Sequence, residues 1–225
     1  MSRDGQGRRH LVDRIFCILD AFSPGEPRLT VSDLSRRTRL PVATVHRLAN
    51  QLAQEGALER GDDGRYGIGI RLLEIARLEH HALRLRSVAL PWMLRLQEET
   101  GSMVLLCVLS GPDVVVLEQV AGTAQLGFPP RQGAATTAAG RLLLAHRPGG
   151  PVGAGGLVFG GTQAGREPFS VAAALEDGST AVVAALSIVG LARGHERIDV
   201  ARAVKRTAGR ISTLLTEQAN MVTAS

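Results

Sequence analysis

Residues 29–48 read LTVSDLSRRTRLPVATVHRL, and this stretch predicts two helices joined by a tight turn. Thr30 and Asp33 have the spacing of a capping box, in which a hydroxyl and a carboxylate satisfy the free N–H groups at the start of a helix. Pro41 suits the first turn of the following helix, because its missing N–H has no hydrogen-bonding duty there. Apolar residues at helical spacing predict that this following helix buries one stripe, made of Val42, Val45, Leu48 and Leu52.

The opposite face of the same helix carries small and hydrogen-bonding side chains, namely Ala43, Thr44, His46, Arg47, Asn50 and Gln51. Small residues near the N-terminus of a helix let it enter the major groove of DNA, where the polar side chains can reach base edges. Between Arg28 and Arg47 lie five arginines and one aspartate, a balance that attracts phosphate. A solvated helix face is the alternative interpretation of such a cluster.

The flanking segments complete a small domain. An apolar stripe at helical spacing predicts an earlier helix with one buried face, made of Leu11, Ile15, Ile18, Leu19 and Phe22. Residues 28–30 predict a short edge strand, and residues 58–60 and 65–68 predict a hairpin around the glycine-rich turn 61–64. The order helix, helix, turn, helix, hairpin is typical of a winged helix-turn-helix, with a generic small helical domain as the alternative.

This pattern selects a set of candidate DNA-contacting residues: Thr30, Ser32, Arg37, Val42, Ala43, Thr44, His46, Arg47, Asn50, Arg60 and Arg65. Thr44 and Arg47 are the strongest candidates for base contacts, whereas His46 suits a phosphate contact or solvent equally well. Arg60 and Arg65 flank the hairpin turn and are expected to touch phosphate. The formal charge supports this placement: of the total of +5, residues 1–86 contribute +4, from 15 arginines against 11 acidic residues.

The same residues resemble the DNA-binding domain of the IclR family of bacterial transcription regulators. Residues 66–69 (YGIG) followed by residues 72–74 (LLE) also resemble that family's passage from the wing into a linker helix. The resemblance implies a winged-helix reader, a linker helix that dimerises and a C-terminal ligand-sensing domain of the GAF-like type. It also implies binding to palindromic promoter sites as dimers or tetramers.

We therefore predict an α+β protein in three parts: a helix-dominated winged helix-turn-helix over residues 9–69, a linker and dimerisation helix over 70–86, and a GAF-like α/β effector domain over 87–225. Residues 70–85 lack glycine and proline and are too apolar for a solvated linker, so one continuous helix is expected, packed against a second copy or against both domains. Pro91 is expected to interrupt the next helix, which ends at Thr100 and Gly101.

The second domain is predicted to contain a hairpin of apolar strands over 103–109 and 114–117, a loop over 127–133 and a helix over 136–146. Two further strands and a closing helix with an apolar stripe from 198 to 215 follow. Eight of the 26 glycines lie between residues 146 and 165, and a flexible or partly disordered bridge with one strand near 157–159 is expected there. The family resemblance implies a longer segment at this place.

An effector pocket is hypothesised from the strand order and the resemblance, lined by Leu105, Cys107, Leu126, Phe128, Thr137, Ala138, Phe169 and Ser187. Residues 137–141 resemble the helix start beside the family's effector, with Arg141 in place of a lysine and Ala135 where many members have histidine. Arg131 or Arg141 near the pocket would favour an acidic ligand. The alternative is a C-terminal domain that has lost ligand sensing and serves in dimerisation or partner binding.

Several classes of protein are excluded. No apolar run has the length of a membrane span and the polar, basic start is unlike a signal peptide, so a cytoplasmic protein is expected. Cys17 and Cys107 are expected to be buried thiols rather than a disulfide or a nucleophile. His80 and His81 point about 100° apart on a helix, and no acidic residue completes a metal site. Without the spacing of a catalytic triad or a phosphate loop, we expect no enzyme, cofactor or metal.

Overall fold

The computed structural model describes residues 10–23, 25–78, 80–123, 126, 128–147, 157–160, 169–177, 181–190 and 195–223. The chain divides into two compact units, and the division falls between His80 and His81. The predicted linker, residues 70–86, spans this division.

The first unit is a winged helix-turn-helix, as the sequence predicts. Its elements are α1 (Leu11–Leu19), β1 (Arg28–Leu29), α2 (Val31–Thr38), α3 (Val42–Gln54), β2 (Leu58–Arg60), β3 (Tyr66–Ile68) and α4 (Ile70–Ala76). The three strands form an antiparallel sheet in the order β1-β3-β2, so that β1 and β2 lie at the edges.

The capping box at the start of α2 is confirmed. The Thr30 hydroxyl accepts a hydrogen bond from the Asp33 N–H (3.1 Å), and the Asp33 carboxylate accepts one from the Thr30 N–H (3.2 Å). The Thr30 side chain and backbone also hold the pKa of Asp33 below its usual value, because both donate to the charged form of the carboxylate. The turn that follows α2 depends on Arg39, which adopts the left-handed conformation with φ 57°.

The core of the first unit lies where α1, α2, α3 and the sheet meet, and its buried apolar residues are Ile18, Leu29, Leu34, Val45, Leu48, Ala49, Leu58 and Tyr66. Two predictions of burial are wrong. Val42 is 56% exposed and Leu11 is 55% exposed, because each lies in the first turn of its helix, beyond the reach of this core. Ala49, one residue after Leu48, is buried on α3 instead.

The predicted continuous helix over 70–85 is wrong. The helix α4 ends at Ala76, and a separate helix, α5 (His80–Thr100), begins at His80. Pro91 lies inside α5 and does not interrupt it. Proline removes one helical hydrogen bond, but Ala89 and Met93 on either side of it are buried in the core of the second unit, so packing holds the helix together. The predicted end at Thr100 is confirmed, with Gly101 at φ +64°.

The second unit is a six-stranded antiparallel sheet with helices on both faces. After α5 come β4 (Met103–Ser110), β5 (Asp113–Val120), β6 (Arg131–Gly133), a 3₁₀ turn (Ala134–Thr136), α6 (Ala138–Ala145), β7 (Leu157–Gly160), β8 (Phe169–Glu176), β9 (Val182–Gly190) and α7 (His195–Thr223). The strand order is β6-β5-β4-β9-β8-β7. The predicted loop over 127–133 is wrong in its last three residues, because they pair with residues 113–115 as an edge strand.

Each face of this sheet has its own apolar core. One core lies between the sheet and the helices α5 and α7, and the other lies between the sheet and α6. The strand predicted near 157–159 is present as β7. The flexible or disordered bridge predicted around it falls on residues 148–156 and 161–165, which lie outside the described residues.

Candidate DNA-reading surface and effector face

The polar residues of α3 lie together on the side of the helix away from the core. Ala43, His46 and Arg47 are exposed, and Thr44 and Asn50 are half-buried at the margin of the same face. Val45, Leu48 and Ala49 point the other way, into the core. The buried apolar stripe sets the orientation of α3, so the predicted DNA-reading face is the side of the helix that remains outside the core.

Two side-chain pairs order this surface. The Arg47 guanidinium donates to the Gln51 side-chain oxygen (3.1 Å), one helical turn away. The Asn50 Nδ2 lies 3.3 Å from His46 Nε2 and 3.4 Å from Nδ1. The other end of the Asn50 amide, Oδ1, accepts a hydrogen bond of 2.5 Å from the hydroxyl of Tyr66. These contacts hold a set of hydrogen-bonding groups on one helix face, where a duplex groove would meet them.

Of the candidate residues at α2, two make contacts within the domain and one is exposed to solvent. The Thr30 hydroxyl caps α2, and the Arg37 guanidinium donates to the Ala21 carbonyl (2.8 Å) and pairs with Glu26. Ser32 is exposed in the first turn of α2. Arg37 and Thr30 therefore stabilise the domain, whatever else they contact.

The two wing arginines have local partners. The Arg60 guanidinium lies over the ring of Tyr66, 5.7 Å from its centroid. The Arg65 Nε lies 3.6 Å from the Asp63 carboxylate within the wing turn. Both arginines are exposed, so the partners leave their charges at the surface.

The residues predicted for the effector pocket fall on both faces of the second sheet. Leu105, Cys107 and Ala138 are buried in the core beneath α6, and Leu126 and Phe128 pack against it. Thr137 caps α6, accepting from the Gly140 N–H (2.9 Å). Ser187 is buried, and its hydroxyl donates to the Val171 carbonyl (3.1 Å).

Phe169 does not join this group. Successive residues of a strand face opposite sides of the sheet, and Phe169 belongs to the set that packs beneath α5 and α7. The Arg197 guanidinium lies over its ring, 5.4 Å from the centroid. The structure thus separates Phe169 from the other candidates by the thickness of the sheet.

The charged groups near the α6 face have partners of their own. Arg131 pairs with Asp113 (3.3 Å), and Arg141 donates to the Phe159 carbonyl at the edge strand β7. Burial raises the pKa of the Cys107 thiol to about 12, so it stays neutral at physiological pH. These contacts of Arg131 and Arg141 do not support the expectation that either residue favours an acidic ligand.

The family model for the IclR helix-turn-helix domain matches residues 11–62. The first unit therefore contains a helix-turn-helix domain of the IclR type. Among curated proteins it is similar to the HTH-type transcriptional regulator KipR of Bacillus subtilis, with 31% identity over 118 residues that cover 52% of this chain and 47% of KipR. It is also similar to the glycerol operon regulatory protein of Streptomyces coelicolor, with 33% identity over 144 residues that cover 61% and 56% of the two chains. The chain thus spans about half the length of the curated relatives it matches.

Solved structures of IclR proteins share the fold over most of the chain. An IclR homologue of Microbacterium hydrocarbonoxydans, solved in complex with 4-hydroxybenzoate, has 29% identity and a TM-score of 0.69, with 90% of this chain and 97% of that chain covered. The IclR protein of Thermotoga maritima has 20% identity and a TM-score of 0.62, with 91% and 98% covered. The fold of this chain is therefore shared with these structures across both units.

The sequence did not identify Tyr66 as a residue that contacts the α3 surface. It is the only tyrosine of the chain and lies at the start of β3, where the apolar pattern assigns it to the core. Its hydroxyl is the informative feature, because a buried hydroxyl needs a partner and the nearest polar face is that of α3.

Three further findings concern the described part of this chain. It holds no group of three or more histidine, cysteine, aspartate or glutamate side chains arranged for a metal ion, and no helix in it is long and apolar enough to cross a membrane. Cys107 is buried as predicted, but Cys17 is only partly buried. Cys17 lines a cleft beside Asp20 and Arg37, at the edge of the first unit rather than in its core.

Proposed function

We propose that this chain is a sequence-specific DNA-binding transcription regulator whose binding to an operator is modulated by a small-molecule effector. The observation that carries the proposal is the polar face of α3, which is held outward by the buried stripe on the opposite side. The relatives from Bacillus subtilis and Escherichia coli are named HTH-type transcriptional regulators, which supports the same function and gives no reason to expect an enzyme.

In the proposed complex α3 enters the major groove of double-stranded DNA. Thr44 and Arg47 reach base edges, and His46 contacts a phosphate or a base nearby. Arg60 and Arg65 on the wing contact the backbone, because both charges are exposed beside the hairpin turn. These assignments rest on exposure and chemical type.

The proposed assembly is a homodimer on a palindromic operator. None of the residues of α4 is buried, although the helix is strongly apolar, and Ile70, Leu73 and Ile75 are all more than half exposed. On α1, Leu11, Val12 and Phe16 are exposed as well. Apolar surface of this extent on one small unit is typical of a protein–protein interface, and a second copy of the same unit covers it in the proposed dimer. Operator binding places this dimer in the cytoplasm.

The proposed effector site is the α6 face of the second unit. The buried side chains there are mostly alanine, leucine and valine, and the thiol of Cys107 is neutral. A small, largely apolar organic molecule fits this lining better than a highly charged one. The Microbacterium hydrocarbonoxydans homologue, which carries 4-hydroxybenzoate, supports a small aromatic molecule as the first class to test.

Selection of duplexes from a randomised DNA library by the full chain, with and without metabolite extract, tests the function. We expect an enriched palindromic sequence, bound at sub-micromolar protein concentration, whose affinity falls steeply as salt rises. The absence of salt-sensitive, sequence-selective binding would overturn the proposal.

A second candidate is a regulator whose C-terminal unit serves only in dimerisation or partner binding. Leu105 and Cys107 are almost completely buried, which favours a packed core over an open pocket at these residues. A thermal-shift screen with small aromatic acids and neutral aromatics separates the two. A saturable rise in the melting temperature together with a change in operator affinity supports the effector site. The absence of both changes supports the second candidate.

A further inference from the structure

Tyr66 connects the wing to the reading face of α3. Its ring is completely buried, packed in the core cluster that includes Leu48 and Leu58. Its hydroxyl donates to Asn50 Oδ1 at 2.5 Å, across 16 residues of chain. The hydrogen bond therefore joins the rigid interior of the unit to a side chain at the margin of the proposed DNA-reading surface.

The Asn50 amide has two chemically different ends of nearly equal size. One end is an oxygen that only accepts hydrogen bonds, and the other is an NH₂ group that only donates. Because a buried hydroxyl donates to Oδ1, the oxygen is held toward the core and the NH₂ group is held away from it. The NH₂ group then lies next to the imidazole of His46, one helical turn toward the N-terminus of α3.

We propose that Tyr66 is a positioning residue for DNA recognition: it fixes the Asn50 amide so that α3 presents a hydrogen-bond donor, and through Asn50 it orients His46. The inference rests on the proposed function of α3 as the reading helix. The inference limits which bases of the DNA Asn50 can recognise. Bidentate recognition of adenine by asparagine needs both the oxygen and the NH₂ group. With Oδ1 held by Tyr66, Asn50 contacts an acceptor atom of a base edge through its NH₂ group.

The test compares Tyr66→Phe with a matched control, Thr38→Val. Tyr66→Phe removes the hydroxyl and keeps the buried ring. Thr38→Val removes another buried hydroxyl of the same unit, which donates to the Leu34 carbonyl (2.7 Å) within α2. The probe is the duplex that the wild-type chain selects from a random library, beside a duplex of unrelated sequence.

We expect Tyr66→Phe to weaken binding to the selected duplex roughly fivefold to tenfold, the effect of one hydrogen bond, and to leave binding to unrelated duplex unchanged. Thr38→Val lowers stability without changing the ratio of the two affinities. Equal ratios for Tyr66→Phe and wild type would overturn the inference.

A double-mutant cycle shows whether Tyr66 acts through Asn50. In an Asn50→Ala background, Tyr66→Phe should cause no further loss of selectivity, because the group that it positions is already gone. Losses that add would mean that Tyr66 acts on the fold alone.

A measurement without DNA separates failure of this inference from failure of the proposed function. In the ¹H–¹⁵N spectrum of the full chain, we expect the Asn50 side-chain amide and the His46 ring to shift on Tyr66→Phe, and not on Thr38→Val. If these signals shift but no duplex is selected by the wild type, the proposed function is wrong while the positioning contact stands. If they do not shift, the positioning inference itself is wrong.

Discussion

Arg47 is the residue on which base recognition most depends in the proposed complex. Its side chain is exposed on α3 and donates to Gln51 on the same helix, so the guanidinium is held at the surface in a defined direction. Arginine reads guanine through two parallel hydrogen bonds, a geometry that its planar group matches.

We expect Arg47→Ala to weaken binding to the selected duplex by about 1–3 kcal/mol and to affect unrelated duplex much less. Fluorescence anisotropy with both duplexes measures the two affinities. Lys205→Ala, which removes the same charge from an exposed position of α7, is the control and should change neither. Equal losses on both duplexes would make Arg47 a phosphate contact rather than a base contact.

Arg39 sets the turn between α2 and α3 at a conformational cost. Its φ of 57° lies in the left-handed region, where a side chain other than glycine costs about 1–2 kcal/mol. We expect Arg39→Gly to raise the free energy of unfolding of the first unit by about 1 kcal/mol, because glycine adopts this conformation without a steric penalty. Hydrogen exchange of the α2 and α3 amides measures the change. Arg39→Ala keeps the strain and should bring no such gain, and a gain of equal size from alanine would contradict this account.

At the scale of elements, the position of α6 depends on one glycine. A Cβ on Gly140 would lie 2.2 Å from the Ala134 carbonyl oxygen and 2.5 Å from its Cα, so the helix can approach the preceding 3₁₀ turn only without a side chain there. This close approach brings the start of α6, with its cap Thr137, onto the sheet.

We expect Gly140→Ala to destabilise the second unit by about 1–3 kcal/mol, because backbone atoms rather than a mobile side chain must move. Gly209 in α7 provides the matched control, since a Cβ there meets nothing within 4 Å. Gly209→Ala should stabilise the unit by about 0.5–1 kcal/mol through helix propensity. Thermal unfolding followed by the fluorescence of Trp92, the single tryptophan, measures both. The same sign for both substitutions would contradict the explanation.

At the level of the assembly, the proposed dimer depends on the exposed apolar residues of α4. Leu73 is 56% exposed in a helix that buries none of its residues. We expect Leu73→Glu to convert a dimer into a monomer, as measured by sedimentation velocity. Operator affinity should fall by roughly 100-fold, because two half-sites are no longer bound together.

The control for that experiment is Leu94→Glu, an equally large change at an exposed apolar position of α5. It should leave both the mass and the operator affinity as in the wild type. A wild-type chain that sediments as a monomer while it binds a palindrome would rule out this surface as the dimer interface.

The winged helix was predictable from sequence because its signals are local. The capping box at Thr30, the start of α3 after Pro41 and the glycines after α3 and in the wing each act within a few residues, and together they specify the order of the elements. The hairpin β4–β5 was predictable for the same reason. A charge count added only that the arginine excess lies in the first part of the chain.

Predictions failed where the deciding partner is distant in the sequence. Pro91 continues α5 because a core contributed by later strands and by α7 packs on both sides of it. Phe169 faces α7 rather than α6 because the register of β8 with β9 sets its side of the sheet. Val42 is exposed because the buried part of α3 begins one turn later, at Val45.

Local patterns in the sequence were enough to predict a winged helix like that of the IclR family, a mixed second unit and the polar face of α3. The contacts that order this face came from the packing of the elements: the hydroxyl of Tyr66 donates to Asn50, and Arg37 pairs with Glu26 and donates to the Ala21 carbonyl. Periodicity and capping act over only one or two turns of chain. The partner of a hydrogen bond between elements depends on how those elements pack, which no local pattern records.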